Sequence, residues 1–345
     1  MSNPCKKKIY TSCQAVYEAG CPSSTYRIAL LGGSPRHLYC LSDSKTKAGW
    51  TLVWRYTFSN YKSFTSGSNY ITTIPSWHDH ESFKGNGVGT LEGKVSTTAP
   101  ANLGQNGALD FGMWDQIGSE FFVMSNINSH YRCKPKSGSL TMPKAGSISC
   151  TVVKPAATAA KLGCAKKAPN TIGWSAYGPI LGPAYYYWDA ESSGNWPTHD
   201  PCGQNKPQHV KGVSNPYGAV LIKTDPKKLA CGMKKFATCN AAYKAGCPTG
   251  TYKVSIAGKT TRMFCYMDKT RKAGWTLVWR YGFSNYKSFT AGNNHITTIP
   301  NWHKHSSFKG NKLSTLEAKV STTPPESPAK NGALDFKLWP DIGTW

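Results

Sequence analysis

Apolar and polar side chains alternate along short stretches of the chain. TYRIAL (25–30), HLYCLS (37–42), WTLVWRY (50–56), SISCTVV (147–153) and GAVLIKT (218–224) follow this pattern and predict strands. Their β-branched and aromatic content points the same way. SCQAVYEAG (12–20) predicts one short helix, with Ser12 placed to cap its start and Gly20 to end it. TCNAAYKAG (238–246) repeats that frame. Long stretches rich in Gly, Ser, Asn and Pro separate these segments, more than a doubly wound α/β enzyme carries. The pattern predicts an α+β fold of short strands and few helices with long, disulfide-stapled loops.

The pattern also occurs twice. Residues 48–75 (AGWTLVWRYTFSNYKSFTSGSNYITTIP) and 273–300 (AGWTLVWRYGFSNYKSFTAGNNHITTIP) differ at 4 of 28 positions, at an offset of 225. Cys5, Cys13, Cys21 and Cys40 correspond to Cys231, Cys239, Cys247 and Cys265. NGALDFGMWDQIG (106–118) likewise matches NGALDFKLWPDIG (331–343). Solenoid repeats are about 20–50 residues long, so a longer offset predicts whole domains in tandem. The expected division is a first domain over 5–225, a short exposed linker at 226–230 and a second domain over 231–345. The second is expected to be incomplete at its C-terminal side, since nothing in it matches 121–223. Near-identity implies a recent duplication, so residues shared by the copies say little about function.

Composition narrows the class. Of the 345 residues 39% are hydrophobic, and no apolar run is long enough to predict a membrane span. Forty-one Lys and Arg oppose 17 Asp and Glu, a net charge of +24. Only seven of the bases are Arg and 34 are Lys. Lys is a hydrated point charge, whereas Arg is the planar reader of bases and phosphates. The balance therefore suits a diffuse polyanion better than specific nucleic-acid recognition. Twelve cysteines without any C-x-x-C spacing exclude the strongest zinc and redox signals and predict six disulfides, formed outside the cytosol. The start, Met-Ser-Asn-Pro-Cys-Lys-Lys-Lys, shows no apolar signal-peptide stretch, and no N-glycosylation sequon occurs.

One order of residues is more specific. A cysteine and short helix lead to Gly-Cys-Pro, a Tyr, a strand ending Tyr-Cys-x-x-Asp and then Gly-Trp-Thr-Leu-Val. The carriers are Cys13, Gly20, Cys21, Pro22, Tyr26, Cys40, Asp43, Gly49, Trp50 and Thr51, matched by Cys239, Gly246, Cys247, Pro248, Tyr252, Cys265, Asp268, Gly274, Trp275 and Thr276. The order resembles the opening of the fibrinogen C-terminal globular domain. Segments 121–140, 145–153, 195–203 and 215–223 look like a divergent invertebrate branch found in secreted and skeletal-matrix proteins.

The resemblance implies disulfides Cys13–Cys40 and Cys239–Cys265, leaving Cys5–Cys21 and Cys231–Cys247. Local order within the same frame pairs Cys133–Cys150 and Cys164–Cys202. It also implies a ligand region at YYYWDAESSGNWPTHDPCG (185–203). Calcium is the one ion the resemblance brings with it. The usual Asp-x-Asp loop is missing, however, with Asp189, Glu191 and Asp200 scattered instead, and no cofactor is expected to be required.

Three candidate chemistries remain. Tyr185, Tyr186, Tyr187, Trp188, Asn195, Trp196, His199 and Asp200 form the densest aromatic and polar run, suited to stacking on a sugar while Asn and Asp take its hydroxyls. The competing reading packs alternate aromatics in the core and uses Asn195 and Asp200 to cap turns. His78 with His80, and His303 with His305, stand two residues apart; on a strand both imidazoles would face one way, as a two-ligand metal clip needs. Asp79 becomes Lys304 and Glu81 becomes Ser306, so the second pair lacks a nearby third ligand, and exposed loop histidines are the plainer reading. No G-x-S-x-G, H-E-x-x-H or P-loop occurs, and Glu92/Glu317 and Asp110/Asp335 sit beside lysines or in apolar strings. No enzyme is expected.

These readings converge on a secreted, non-enzymatic extracellular-matrix or biomineral-associated protein. Its expected partners are acidic polysaccharide, an anionic mineral or silica surface and other matrix proteins, with self-assembly. A calcium-carbonate partner suits the family branch but not the charge. The alternative is a soluble lectin of innate defence that binds glycans through 185–200; a venom or adhesive component is the weaker third.

Overall fold

The strand that organises the first unit is Ala48–Thr57, ten residues of which nine are buried. The structure, a computed structural model, describes residues 4–59, 69–79, 91–175, 178–191, 199–203, 213–284, 294–302, 318–328 and 330–343. It is built mostly of strands with few, short helices. The chain divides into two units, one running to Pro226 and one taken up at Lys227.

In the first unit the strands are β1 (Ile9–Tyr10), β2 (Ser24–Ile28), β3 (Arg36–Asp43), β4 (Ala48–Thr57), β5 (Thr73–Pro75), β6 (Lys94–Ser96) and β7 (Gly107–Ala108), followed by β8 (Phe121–Ser125), β9 (His130–Pro135), β10 (Gly146–Lys154), β11 (Thr171–Ser175), β12 (Gly178–Gly182), β13 (Tyr186–Tyr187) and β14 (Tyr217–Lys223). The sheet runs in the order β1-β2-β3-β4-β14-β8-β9-β10-β11-β12-β13, with β7 also on β4 and the parallel pair β5-β6 apart. The last strand in sequence, β14, is therefore inserted at the centre, between β4 and β8.

WTLVWRY predicts a half-buried strand with one apolar face, but β4 is buried on both faces. The cause is a break in its register with β14: Leu52 pairs with Leu221 and Trp54 with Val220, leaving Val53 as the extra residue. Such a bulge moves the side chains that follow to the opposite face. Trp50 and Leu52 accordingly pack with Phe122, Ala219 and Leu221. Trp54 belongs to a separate aromatic cluster, with ring centroids 4.4 Å from Tyr56, 4.9 Å from Trp77, 5.5 Å from Trp188 and 6.3 Å from Trp114. The Trp54 indole N–H, buried with the ring, donates to the Thr73 carbonyl at 2.8 Å, as a desolvated donor requires.

The predicted helix is Cys13–Glu18. Ser12 Oγ caps it by accepting from the Ala15 N–H at 3.1 Å, and Gly20 follows at a φ of 69°. It lies so close to β4 that a Cβ at Gly49 would stand 1.9 Å from the Cys13 carbonyl oxygen. Only glycine fits there.

Helix Pro226–Met233 begins at the last residue of the first unit and carries the chain into the second. The stretch 226–230, expected as an exposed linker, is thus helical. It buries Leu229 and is tied down by Cys231–Cys247. Strands β15 (Lys235–Phe236), β16 (Gly250–Ile256), β17 (Lys259–Asp268) and β18 (Ala273–Thr276) form one sheet in that order. Smaller pairs join β19 (Trp279–Arg280) to β22 (Gly332–Ala333) and β20 (Thr298–Pro300) to β21 (Lys319–Ser321). Helix Cys239–Lys244 is capped by Thr238, whose Oγ1 accepts from the Ala241 N–H at 3.0 Å. A Cβ at Gly274 would lie 2.1 Å from the Cys239 carbonyl oxygen, the same close approach as at Gly49.

All twelve cysteines are paired, as Cys5–Cys21, Cys13–Cys40, Cys133–Cys150, Cys164–Cys202, Cys231–Cys247 and Cys239–Cys265. No helix among the described residues is long and apolar enough to cross a membrane.

Trp54 and its counterpart Trp279 give a direct test of how differently the two units enclose the same sequence. Trp54→Ala should destabilise the first unit by about 3–5 kcal/mol, the usual cost of emptying a large aromatic site. Trp279, only partly buried, should cost clearly less as Trp279→Ala. Urea denaturation read by hydrogen exchange in 50–57 and 275–282 separates the two effects; equal losses would contradict the packing described.

Candidate functional site

The aromatic run beginning at Tyr185 meets the bulge-directed cluster of β4 in the interior. Tyr185, Tyr186, Trp188, His199 and Asp200 are all buried, and Tyr187 is half-buried. Tyr186 pairs with Leu181 as the last strand of the sheet and is bridged to His199. Its hydroxyl donates to the Ser129 carbonyl at 3.0 Å, and its ring lies 4.3 Å from the His199 ring. Trp188 Nε1 donates to Tyr56 Oη at 2.5 Å, and that oxygen stands 3.4 Å from His199 Nε2. Phe58 closes the group, 4.9 Å from His199.

The carboxylates nearby serve the local backbone. Asp189 Oδ1 accepts from the Glu191 N–H and Asp200 Oδ1 from the Cys202 N–H, both at 2.9 Å. These are the two-residue turns that Asp side chains form readily. The main chain of 189–190 holds a neighbouring loop: the Asp189 carbonyl accepts from Ile71 N–H at 2.9 Å, and Ala190 O from Glu92 and Gly93 N–H at 3.0 Å. Asp200 therefore caps a turn, and the rings of Tyr185, Tyr186 and Trp188 are packed inside rather than presented as a shelf for a sugar. Asn195 and Trp196 lie outside the described residues.

Of the two histidine pairs, only the main chain of His78 is described, in the 3₁₀ turn Ser76–Asp79. The His78 side chain, and all of His80, His303 and His305, lie outside what is described. Among the described residues no three His, Cys, Asp or Glu side chains are grouped to hold a metal ion. Asp110 and Asp335 are structural: each caps the turn after it, by accepting from the Gly112 and Lys337 N–H at 3.1 and 3.2 Å.

Two features escaped the sequence reading. Asn69 is fully buried, and neither end of its amide has a hydrogen-bond partner among the described residues. The second is how the fold distributes charge. Asp189, Glu191, Asp200 and Asp268 are buried, whereas no described lysine is. The distribution is most one-sided between Glu120 and Asp189, where the chain has no acidic residue but contains Arg132 and seven lysines. Lys134, Lys136, Lys144, Lys154, Lys161, Lys166 and Lys167 are all exposed. They decorate the β9–β10 hairpin, held by Cys133–Cys150, and the helix and turn that follow it. Arg132 is spoken for: it forms an ion pair with Asp43, and its guanidinium lies 5.2 Å from the centre of the Phe122 ring.

No protein-family model matches the chain, and no curated protein matches its sequence.

Burial raises the phenol pKa of Tyr56, Tyr131 and Tyr186 well above the ordinary 10.0. For Tyr185, burial does so first and the Asp200 charge adds to it. These hydroxyls remain protonated donors at any physiological pH. A pKa raised by folding contributes stability that is complete below the unfolded value and is lost as pH climbs toward the folded one. Stability should therefore be unaffected by these groups up to about pH 10 and fall steeply above it. Tyrosinate absorbance and circular dichroism followed together over alkaline pH should show the buried tyrosines ionising only as the fold is lost. Ionisation of the full tyrosine complement before any structural change would refute the packing.

Proposed function

We propose that this is a secreted, non-enzymatic matrix protein built from tandem fibrinogen-like units, which adsorbs through lysine to anionic phases such as acidic polysaccharide or silanolate-bearing silica. The observation that carries this reading is the charge distribution just described. Seventeen acids face 41 bases, so at least 24 bases have no acid of their own. Burial of four of those acids leaves the surface more basic still. Exposed lysines held on a stapled hairpin attract a polyanion over about 10 Å at moderate salt and require no defined ligand shape.

Six disulfides suit the oxidising conditions of an extracellular matrix and hold loops that a small core would not. The fibrinogen-like reading rests on the order of residues from Cys13 to Thr51 and its recurrence from Cys239 to Thr276. Calcium has no part in the proposed adsorption. A glycan lectin is less well supported, because its stacking aromatics are packed among Trp54, Tyr56 and His199.

The test is retention on silica and on immobilised heparin. Retention should be strong at about 50 mM salt, fall away by about 500 mM as charges are screened, and be indifferent to EDTA and free sugars. Replacing Lys134, Lys136, Lys166 and Lys167 by Gln should lower the salt needed for elution without changing thermal stability. Narrow, salt-resistant retention released by one sugar would overturn the proposal in favour of a lectin.

A further inference from the structure

The hairpin that carries the lysines also carries a strand paired on one side along only part of its length. β10 pairs with β9 from Ile148 to Lys154, but β11 joins its other side only at Gly146 and Ser147. Just beyond, the Ile148 N–H donates to Asn170 O at 2.9 Å. Main-chain groups point to alternate sides along a strand. Ser147 O faces β9, where it accepts from Lys136 and Gly138 N–H, and the Ile148 N–H faces β11. Cys150 and Val152 therefore turn their N–H and C=O away from β9. The Cα atoms of Cys150 and Cys133 lie 4.0 Å apart, the close spacing of a pair that exchanges no hydrogen bonds. Among the described residues nothing bonds to these four outward groups. The surrounding stretch, 145–174, is described throughout; Ser149 and Thr151 are exposed, and Val153 is 38% exposed.

An open edge of this kind is a template for one more strand. Charge decides which strand. Lys154 stands on β10 itself, Lys134 pairs across with Ser149, and Lys166 and Lys167 precede β11. Between Glu120 and Asp189 there is no acid to answer them. A second copy would bring the same lysines and a further charge of +24, and like charges placed opposite each other destabilise a strand pair. We infer that the Ser149–Val153 edge is a docking site for an extended acidic segment of a partner protein, added to β10 as a further strand with Asp or Glu alternating with apolar residues. The alternation follows from the pleat. Ser149 and Thr151 share a face with Lys134, whereas Ile148, Cys150 and Val152 share the other, on which Ile148 is buried. Acids on the first face of the added strand meet the lysines across the short side chains of Ser149 and Thr151, and its apolar residues lie beside Val152. The inference extends the proposed lysine adsorption from anionic surfaces to a polypeptide, and the two can fail separately.

The probe is the synthetic peptide acetyl-Thr-Glu-Val-Glu-Val-Glu-Thr-amide, titrated into the full chain. Binding should be saturable at one peptide per chain and should slow amide exchange across 149–153. The same peptide methylated at every amide nitrogen keeps its charge but cannot donate to the ladder, and should bind at least about tenfold more weakly. The version with Lys in place of each Glu should not bind. In the chain, Val152→Pro removes an outward N–H that β9 does not use, at an edge position where proline is tolerated, and should weaken binding about tenfold. Lys134→Glu, a change on an exposed side chain, should weaken it as well. Four results would overturn the inference: no saturable binding, equal binding of the methylated peptide, equal slowing of exchange in 149–153 by heparin, or a concentration-dependent dimer of the chain alone that protects 149–153 and makes a second copy the occupant. Lysine adsorption stands or falls apart from these, on salt-dependent retention by silica and heparin.

Discussion

The first unit depends on one extra residue, Val53, in the register between β4 and β14. Without it, Trp50, Leu52, Trp54 and Tyr56 would crowd a single face of the sheet, as their alternation implies. With it, Trp50 and Leu52 pack against Phe122 and Leu221, while Trp54 and Tyr56 turn to the other side and gather Trp77, Trp114 and Trp188. The strand becomes a partition between two aromatic cores.

What the second core attracts explains the fate of the run at 185–200. Trp188 reaches the Tyr56 hydroxyl and His199 lies between Tyr186 and Phe58, so the most conspicuous aromatic cluster in the chain is used for closure. The buried carboxylates at 189 and 200 stay with it because their oxygens accept backbone N–H groups that would otherwise be buried without partners. The exposed charge lies elsewhere, in lysines on and after a disulfide-braced hairpin that stand clear of any acid in their own stretch of chain. The proposed adsorption follows from electrostatics that a rigid, acid-poor surface sustains; it does not need a pocket.

Much of the local architecture was legible in the chain. The strands at 37–42, 50–56, 147–153 and 218–224, and the helix begun by Ser12, follow from periodicity and capping, which act between residues close in sequence. The helix at Pro226–Met233 was not legible from periodicity; in the fold it buries Leu229, and its Cys231 is bonded to Cys247. The His78 and His80 reading falls outside the described residues, apart from the 3₁₀ turn Ser76–Asp79 that carries the His78 main chain.

By itself the amino-acid sequence determined the net charge, the surplus of lysine over arginine, the even cysteine count and the repeat of 225 residues, since each is a property of composition or order. Tertiary structure alone decided which face each tryptophan of β4 takes, that Asp189, Glu191 and Asp200 are hidden while the lysines between Glu120 and Asp189 are not, and that the same nine residues, 48–56 and 273–281, are buried in one unit and partly or fully exposed in the other. Those outcomes depend on strand register and on which neighbour occupies an edge. Both are set by partners far away in the chain, as when Trp50 pairs with Lys223, 173 residues on, and no local pattern carries that information.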